Sequence, residues 1–438
     1  MRWLINVLLF VFLIAVMAVW VMLPWPGAIG LALVLGGWLL LTRRGRQAQS
    51  VAAVGISTLR QRLGASAVIV VGIAGVVGVL VALLAMAEGY AETLRKTGGI
   101  DTAIVMRGAS ASEVASVLDR ESVTLIQQAP GIARNDKGEP LATSELVVAA
   151  NLPIKGGGPD EEGSVQLRGV SEQTWAVRPQ IKIVAGKRFT PGLRELVVGR
   201  GAARQFAGLE PGHEVKLGNQ KWTVAGIFAS GDAMESEIWG DATVVADTYR
   251  RGSGRASVTV KLADPQAFGA FKSALEANPQ LKVDVNTTLD YFAKQSEQVT
   301  KVLRVIGITV GAIMAIGAMF GALNTMFAAV AARAREIATL RAIGFPGLPV
   351  VVAVMLETML LALAGGVIGG LLAYLIFNGY GASTMAAGSV GKLSFELRVS
   401  PDLLWTGLKW ALAIGFIGGL FPAVRAARLP VTSALREL

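Results

Sequence analysis

The sequence predicts an α-helical membrane protein with six transmembrane helices and a large α+β extracytoplasmic domain between the third and fourth. Three observations lead to this fold class. Hydrophobic residues make up 53% of the 438 residues and charged residues only 16%, whereas soluble domains carry about 25% charged residues. Six apolar stretches approach the roughly 20 residues that a helix needs to cross a bilayer. Residues 89–300 hold 24 Lys and Arg against 25 Asp and Glu, so the net charge of +10 belongs to the segments around the apolar stretches.

The first two apolar stretches form a predicted helical hairpin, from Trp3 to Leu23 and from Pro26 to Leu41, with a tight turn between them. A secretory signal peptide is the alternative for the first stretch. It is not favoured, because no small-x-small cleavage site precedes the second stretch. The other predicted spans are Ala65 to Ala87, Val305 to Ala332, Val350 to Phe377, and Leu403 to Val424.

Arginine clusters predict the topology. Alternation of the spans places three clusters on one side of the membrane, and the positive-inside rule makes that side the cytoplasm. Both termini are then cytoplasmic and residues 89–300 lie outside. The clusters are Arg43, Arg44, Arg46, Arg60 and Arg62; Arg333, Arg335 and Arg341; and Arg425, Arg428 and Arg436. The predicted segments are 1–45 (transmembrane hairpin), 46–95 (linker, third helix and stalk), 96–288 (α+β domain) and 289–438 (stalk and helices four to six).

The outer segment alternates strand-like and helix-like patterns. Residues 112–128 and 265–277 fit helices, the second with Asp264 as a cap before Pro265. Apolar periodicity over 289–306 extends the fourth span outward as a stalk helix, and residues 88–94 extend the third in the same way. The predicted strands include residues 145–148, 165–168, 195–198, 221–224 and 257–262.

Residues 333–346 predict a short amphipathic cytoplasmic helix directly after the fourth span. Ile337, Leu340 and Ile343 recur at helical spacing between arginines, and Gly344 marks the helix end. Composition leaves two interpretations open. The helix is either a docking element for another protein or a basic anchor on the lipid surface.

From residue 55 onward the sequence resembles the MacB/FtsX-type permeases of ABC transporters. The resemblance is carried by the Ala-Leu-Asn-Thr-Met run at 322–326, the Arg-Glu-Ile run at 335–337 and the Leu-Arg-Ala-Ile-Gly run at 340–344. The Leu-Glu-Thr run at 356–358, the glycine-rich run at 365–370 and the tail at 422–436 are also similar, as are 197–203 and 224–228 in the outer segment. The N-terminal hairpin lies outside the four-span pattern of that family.

The resemblance implies a permease subunit in the bacterial inner membrane that works as a dimer, with a second copy or a homologous permease. It implies that residues 333–346 form a coupling helix received by a separate cytoplasmic ATPase, which binds ATP and Mg; no cofactor is expected on this chain. Ile337 and Leu340 would be apolar anchors, Arg335, Glu336 and Arg341 would orient the helix, and Gly344 would end it. The surrounding lipid bilayer and a periplasmic protein are further expected partners, and nucleic acid is not.

Asn324 and Glu357 lie within predicted spans, where an unpartnered polar group is costly, and Lys409 lies within the sixth span. We expect Asn324 to bond across helices. Glu357 is expected to accept from backbone or arginine donors such as Arg341, with a proton relay as the alternative. The Gly365-x-x-x-Gly369 motif permits close helix approach, within this chain or to another.

The sequence offers no enzyme site. His213, the only histidine, sits in a turn and is expected to be solvated, and no nucleophile or metal-ligand constellation accompanies it. The sequence has no cysteine. Gly199-Arg200-Gly201 lacks the Lys-Ser/Thr ending of a phosphate-binding loop.

The function that the resemblance implies is mechanical coupling of ATP hydrolysis to movement of outer domains, for export or extraction of a substrate. The alternative is a non-transporting signalling device that activates periplasmic cell-wall hydrolases.

Overall fold

A computed structural model describes residues 15–16, 19–57, 63–158, 161–385 and 391–428. The chain divides into two compact units. We call Met1–Ala85, Leu303–Asn378 and Arg398–Leu438 the helical unit, and Met86–Val302 with Gly379–Leu397 the sheet unit. Most of the predicted first span, together with Arg60, Arg62 and the tail beyond Arg428, lies outside the described residues.

Helices and strands are numbered here in chain order. The helices are α1 (Trp25–Leu41), α2 (Arg43–Ser57), α3 (Leu63–Thr97), α4 (Arg120–Gln127), α5 (Thr174–Val177), α6 (Arg200–Gln205), α7 (Ala242–Thr248), α8 (Ala267–Glu276), α9 (Thr288–Ala332), α10 (Ala334–Ala342), α11 (Gly347–Phe377) and α12 (Pro401–Arg428). The strands are β1 (Thr102–Arg107), β2 (Ala142–Pro153), β3 (Glu162–Val170), β4 (Lys182–Gly186), β5 (Glu195–Gly199), β6 (Glu214–Leu217), β7 (Gln220–Ala229), β8 (Glu237–Asp241), β9 (Ser257–Lys261), β10 (Val283–Thr287), β11 (Gly381–Met385) and β12 (Lys392–Glu396).

Four of the described helices, α3, α9, α11 and α12, are long and apolar enough to cross a membrane. They correspond to the third to sixth predicted spans. The pair α1 and α2 is bent by 94° and adds at most one more span. The predicted total of six is therefore not shown by the described residues. Both predicted stalk extensions are present, because α3 continues to Thr97 and α9 begins at Thr288.

Glycines bring α3 and α11 into close contact within the helical unit. A Cβ atom at Gly369 would lie 2.4 Å from the carbonyl oxygen of Ala74, and one at Gly365 would lie 2.8 Å from that of Val70. Any larger residue would push the two helices apart. The Gly365-x-x-x-Gly369 motif therefore makes an intrachain contact, which resolves the alternatives left open by the sequence.

The sheet unit contains a ten-stranded mixed sheet in the order β10-β1-β9-β2-β3-β8-β5-β7-β4, with β6 paired to β7. All five predicted strand runs lie in strands of this sheet. Two separate apolar clusters are packed on it. One surrounds Val105, Val260 and Phe271, and the other surrounds Leu167 and Trp222.

The predicted helix over residues 112–128 is wrong in its first half. Ser116 donates to the carbonyl oxygen of Ala256, and Leu118 exchanges backbone hydrogen bonds with Arg255 at 2.7 and 2.9 Å. Glu113–Ala115 form a short 3-10 turn, and these contacts hold residues 116–118 extended, so α4 begins only at Arg120, after Asp119 accepts from the backbone of Ser122. The second predicted helix is confirmed as α8, with the Asp264 carboxylate 2.9 Å from the amide nitrogen of Ala267.

A hairpin of β11 and β12 belongs to the sheet unit although it lies between α11 and α12 in the sequence. The amide of Ser394 donates to the hydroxyl of Ser236 at 2.9 Å, and the rings of Phe395 and Tyr90 meet edge to face at 5.6 Å. Sequence analysis assigns residues 289–438 to one segment and does not predict this hairpin. Its strands are short, and the packing that stabilises them comes from distant parts of the chain.

Candidate functional site: the coupling-helix region and its ion pair

The helix predicted over residues 333–346 is present as α10 (Ala334–Ala342). It follows α9 after a single non-helical residue, Arg333, which has φ −105° and ψ 11°. Gly344 has φ +100°, a backbone conformation that side-chain-bearing residues rarely adopt. Pro346 then caps α11. A short helix is thus inserted between two membrane-length helices.

The predicted contact residues of α10 fall on different faces. Arg335 and Glu336 are exposed, and Leu340 and Arg341 are half-buried. Ile337 is only 6% exposed and lines a narrow pocket of the helical unit with residues of α2, α9 and α11. Ile337 therefore anchors α10 to its own chain. The exposed apolar side chain of this segment is Ile343, at 69%, which lies outside the predicted contact set.

Arg333 and Glu357 form a two-pronged ion pair inside the helical unit. Arg333 Nη1 lies 2.9 Å from Glu357 Oε2, and Nη2 lies 3.3 Å from Oε1. Both side chains are close to fully buried. The expectation that Glu357 accepts from an arginine is confirmed, but the partner is Arg333 and not Arg341. Arg333 adjoins α10 directly, so the pair connects the start of this helix to α11.

Helix α2 is the third member of this arrangement. Arg333 Nη2 donates to the carbonyl oxygen of Gly55 at 2.9 Å. A Cβ atom at Gly55 would lie 3.1 Å from both Arg333 Nη1 and Glu357 Oε2, so the absence of a side chain lets α2 approach the ion pair. The buried residues of α2 are small: Gly45, Ala48, Ala52 and Gly55.

Lys409 is a second buried cation of the helical unit. Its Nζ donates to the carbonyl oxygens of Val21 and Leu23, the latter at 3.1 Å, and its own carbonyl accepts from the Trp20 indole at 2.9 Å. These carbonyls precede Pro24, where a helix end leaves acceptors without intrahelical donors. The sequence signal was a lysine inside a predicted span, which requires a polar partner.

Asn324 lies exposed on α9. In the part of the chain that the structure describes, its amide makes no hydrogen bond to another helix, so the predicted bond across helices is not found there.

The sheet unit contains a buried ionic cluster that sequence analysis missed. Arg168 on β3 is 1% exposed and contacts three carboxylates: Glu113 at 2.8 Å, Glu145 at 2.7 Å and Glu237 at 2.7 Å. Arg178 also binds Glu145. The only local signal was a charged residue within each of two apolar strand patterns, at Glu145 and Arg168.

Electrostatics in this cluster favour the charged forms. Burial alone would raise the pKa of Glu113, but the charge of Arg168 and hydrogen bonds from Arg168 and Ser257 hold it below its ordinary value of 4.5. Burial lowers the pKa of Arg168, and the carboxylates of Glu113 and Glu237 more than offset this, raising the pKa well above its ordinary value. The Glu113–Arg168 ion pair is therefore stabilised in its charged form and is suited to holding neighbouring parts of the sheet unit together.

Asp232 behaves differently from the cluster near it. Burial raises the pKa of its carboxyl to about 6, although Ser230 and the amide of Met234 donate to it. Among the described residues, no group of three or more His, Asp or Glu side chains is arranged to hold a metal ion.

Two family models match this chain. The MacB-like periplasmic core domain matches residues 65–278, and the FtsX-like permease C-terminal domain matches residues 288–431. Together they cover every numbered strand except β10, and the helices from α3, apart from its first two residues, to α12.

Relatives agree with these matches. The uncharacterized ABC transporter permease YknZ of Bacillus subtilis is 24% identical over 307 residues, covering 67% of this chain and 75% of that protein. The macrolide export ATP-binding/permease protein MacB of Photorhabdus laumondii is 26% identical over 375 residues, covering 77% of this chain and 56% of that protein. The chain thus spans only about half the length of this MacB relative.

Two solved structures are similar to part of the chain. The extracellular domain of YknZ covers 42% of this chain at 14% identity, with a TM-score of 0.32. The periplasmic region of MacB from Actinobacillus actinomycetemcomitans covers 46% at 18% identity, with a TM-score of 0.36. On the two family models and the sequence relatives, this chain belongs to the MacB/FtsX-type permease family of ABC transporters.

Proposed function

We propose that this chain is the membrane subunit of an ABC transporter whose separate cytoplasmic ATPase binds ATP and Mg and docks on α10. The observation that carries the proposal is the placement of α10. It is a short helix between two membrane-length helices, with Arg335, Glu336 and Ile343 exposed. An exposed apolar side chain surrounded by charged ones is the composition of a docking surface with a central anchor.

Continuity of helix α9 supports a mechanical role. It runs without interruption for 45 residues, or about 68 Å at 1.5 Å per residue. Only Arg333 separates it from α10, and the ion pair to Glu357 fixes that residue. Packed helices shift as units, so nucleotide-driven displacement of α10 would be transmitted along α9 into the sheet unit. Export or extraction of a substrate by two permease copies follows from such a movement.

Charge supports the expected orientation. Arginines cluster at α2, around α10 and at the end of α12, which under the positive-inside rule places these regions in the cytoplasm. The sheet unit then faces the periplasm.

Replacement of the exposed anchor tests the docking role. We expect Ile343→Asp to abolish co-purification with the ATPase, since loss of an anchor costs about 2 kcal/mol or more, roughly a 30-fold weaker complex. Leu193→Asp, at an apolar position of the sheet unit that is 52% exposed, is the matched control. Membrane insertion should be unchanged in both variants. Unaltered ATPase association and ATP-dependent activity in Ile343→Asp would refute docking at α10.

A further inference from the structure

Helices α1 and α2 lie before residue 65, where the first of the two family matches begins, yet they are joined to the helices that those models cover. Arg333 holds the carbonyl of Gly55 at the end of α2. Lys409 holds the carbonyl of Leu23 just before α1. The segment is therefore an integral part of the helical unit, and no role assigned so far accounts for it.

The geometry of α1 and α2 is that of a helix crossing a membrane followed by one lying on its surface. Helix α1 has 17 residues, about 26 Å in length, and exposes apolar side chains such as Leu33 and Val34 at 70% and 69%. Such exposure suits a hydrocarbon environment. Helix α2 then leaves at 94°, which is parallel to the membrane plane if α1 runs along its normal.

The bend is fixed locally. Thr42 lies between the helices, and its hydroxyl accepts from the amide of Gly45 at 2.9 Å while donating to the carbonyl of Trp38. A Cβ atom at Gly45 would lie 2.3 Å from that same carbonyl oxygen, so only glycine fits. Helix α2 also packs on α11. The angle between α1 and α2 is therefore stabilised by specific contacts within the helical unit.

Arginines occupy the side of α2 that faces away from the protein. Arg43, Arg44 and Arg46 are exposed, and none of them forms an ion pair with another described residue. The sequence contains no Asp or Glu before Glu88, so nothing in this segment neutralises them. They directly follow Leu41, which is 83% exposed. Because the polar headgroup layer begins where the hydrocarbon ends, the three guanidinium groups lie at headgroup depth.

We propose that α2 is a membrane-surface helix whose Arg43, Arg44 and Arg46 bind the anionic headgroups of phospholipids. The phosphate and any further negative charge of such a headgroup match three guanidinium groups that have no acidic neighbour. Guanidinium groups bind phosphate oxygens in a two-pronged geometry. An acidic phospholipid such as phosphatidylglycerol therefore binds here in preference to zwitterionic phosphatidylcholine.

The test compares lipid retention by the purified full chain in detergent. Phosphatidylglycerol or phosphatidylcholine is added at low ionic strength, and bound lipid is measured by native mass spectrometry. We expect wild type to retain phosphatidylglycerol over phosphatidylcholine, and Arg43→Gln/Arg44→Gln/Arg46→Gln to lose at least about tenfold of that preference. The control variant removes the same charge from three exposed arginines of the sheet unit and should behave as wild type. Its substitutions are Arg204→Gln, Arg250→Gln and Arg251→Gln.

Additional variants and a competition with inorganic phosphate test the proposal in the same lipid-retention experiment. Arg43→Lys/Arg44→Lys/Arg46→Lys keeps the charge and should keep most of the preference. If the triple glutamine variant does not fold, Arg44→Gln alone should lower retention by about threefold. Inorganic phosphate at the same concentration should not displace the lipid. Equal retention by the triple variant and its control, no preference between the two lipids, or displacement by inorganic phosphate would each overturn the proposal.

Discussion

The sheet unit and the helical unit bury positive charge in different ways. In the sheet unit, Arg168 is surrounded by three carboxylates. In the helical unit, Arg333 binds the carboxylate of Glu357 and the backbone carbonyl of Gly55, and Lys409 binds the backbone carbonyls of Val21 and Leu23. The buried charges of the two units also connect different structural elements. Those of the sheet unit join neighbouring strands and turns, whereas those of the helical unit join an N-terminal segment to later helices.

The difference follows from which backbone hydrogen-bonding groups each unit leaves without a partner. A sheet satisfies its backbone groups within its own ladder, so a buried cation in the sheet unit requires side-chain anions. Helix ends leave carbonyl oxygens without donors, and in a membrane no water replaces them. A buried cation at a helix end in the helical unit therefore gains an acceptor for its own charge and supplies a donor to the free carbonyl oxygen in the same contact.

Removing the central cation of the sheet unit should be the most damaging change. Arg168→Met would leave the carboxylates of Glu113, Glu145 and Glu237 buried without their main partner. Loss of one member of a buried ionic group typically costs about 3–5 kcal/mol, and here three anions are left. Urea unfolding of the full chain in detergent, followed by tryptophan fluorescence, measures this free energy. Arg204→Met, at an exposed position, is the control; a loss below about 1 kcal/mol for Arg168→Met would contradict the cluster's structural role.

Loss of the membrane lysine should have a smaller and more local effect. Lys409→Met leaves the carbonyls of Val21 and Leu23 without their donor, at a cost of about 1–3 kcal/mol. We expect faster hydrogen exchange over residues 19–57, with exchange in the sheet unit unchanged. Lys301→Met removes an exposed lysine of α9 and serves as the control. Uniform exchange changes in both units would show that Lys409 stabilises the whole chain and does not specifically hold its N-terminal segment.

Asp232 should make stability depend on pH in a defined direction. Burial raises its pKa from 3.8 to about 6, so the folded state binds a proton more tightly than the unfolded state. Stability from this group is full below about pH 4 and is lost as pH rises to 6 and beyond. Asp232→Asn keeps an acceptor for the amide of Met234 without the charge, and should stabilise the protein at pH 7.5 by about 1–3 kcal/mol.

The gain from Asp232→Asn should vanish near pH 4, which unfolding free energies measured across this range would show. Glu113 does not obscure the result, because its lowered pKa places its own effect below about pH 4.5, and there stability falls with falling pH. Asp136→Asn, at an exposed position, is the control. A gain independent of pH would mean that hydrogen bonding, and not charge, accounts for it.

Local periodicity predicted several elements of both units because it depends on neighbours in sequence. The spans α3, α9, α11 and α12 and the strands around Val147 and Val258 follow from such patterns. The cluster at Arg168 could not be predicted in the same way, since its members come from distant strands and turns. The ion pair of Glu357 could be predicted from the sequence only in part. A carboxylate in a span predicts an arginine, but the helix break that selects Arg333 over Arg341 is a tertiary feature.

The apolar residues of segment 333–346 show a second feature that the sequence does not predict, namely which of them are buried. Helical spacing marks Ile337, Leu340 and Ile343 alike. Only the packing of α2 and α11 decides that Ile337 is buried and Ile343 exposed. Because α2 lies before the segment that the family models cover, neither the local pattern nor the resemblance contains this information.

An exposed ion pair of the sheet unit tests whether burial, and not distance, determines how strongly an ion pair stabilises the protein. Lys221 and Glu214 form an ion pair at 2.9 Å within the sheet unit, as close as the contacts of Arg168, but their side chains are 79% and 57% exposed. Water solvates both charges whether or not they meet, so an exposed pair contributes little. We expect Glu214→Gln to leave the unfolding free energy unchanged within experimental error in the same urea experiment. If Glu214→Gln destabilised the protein as strongly as Arg168→Met, distance and not burial would set the strength of these ion pairs.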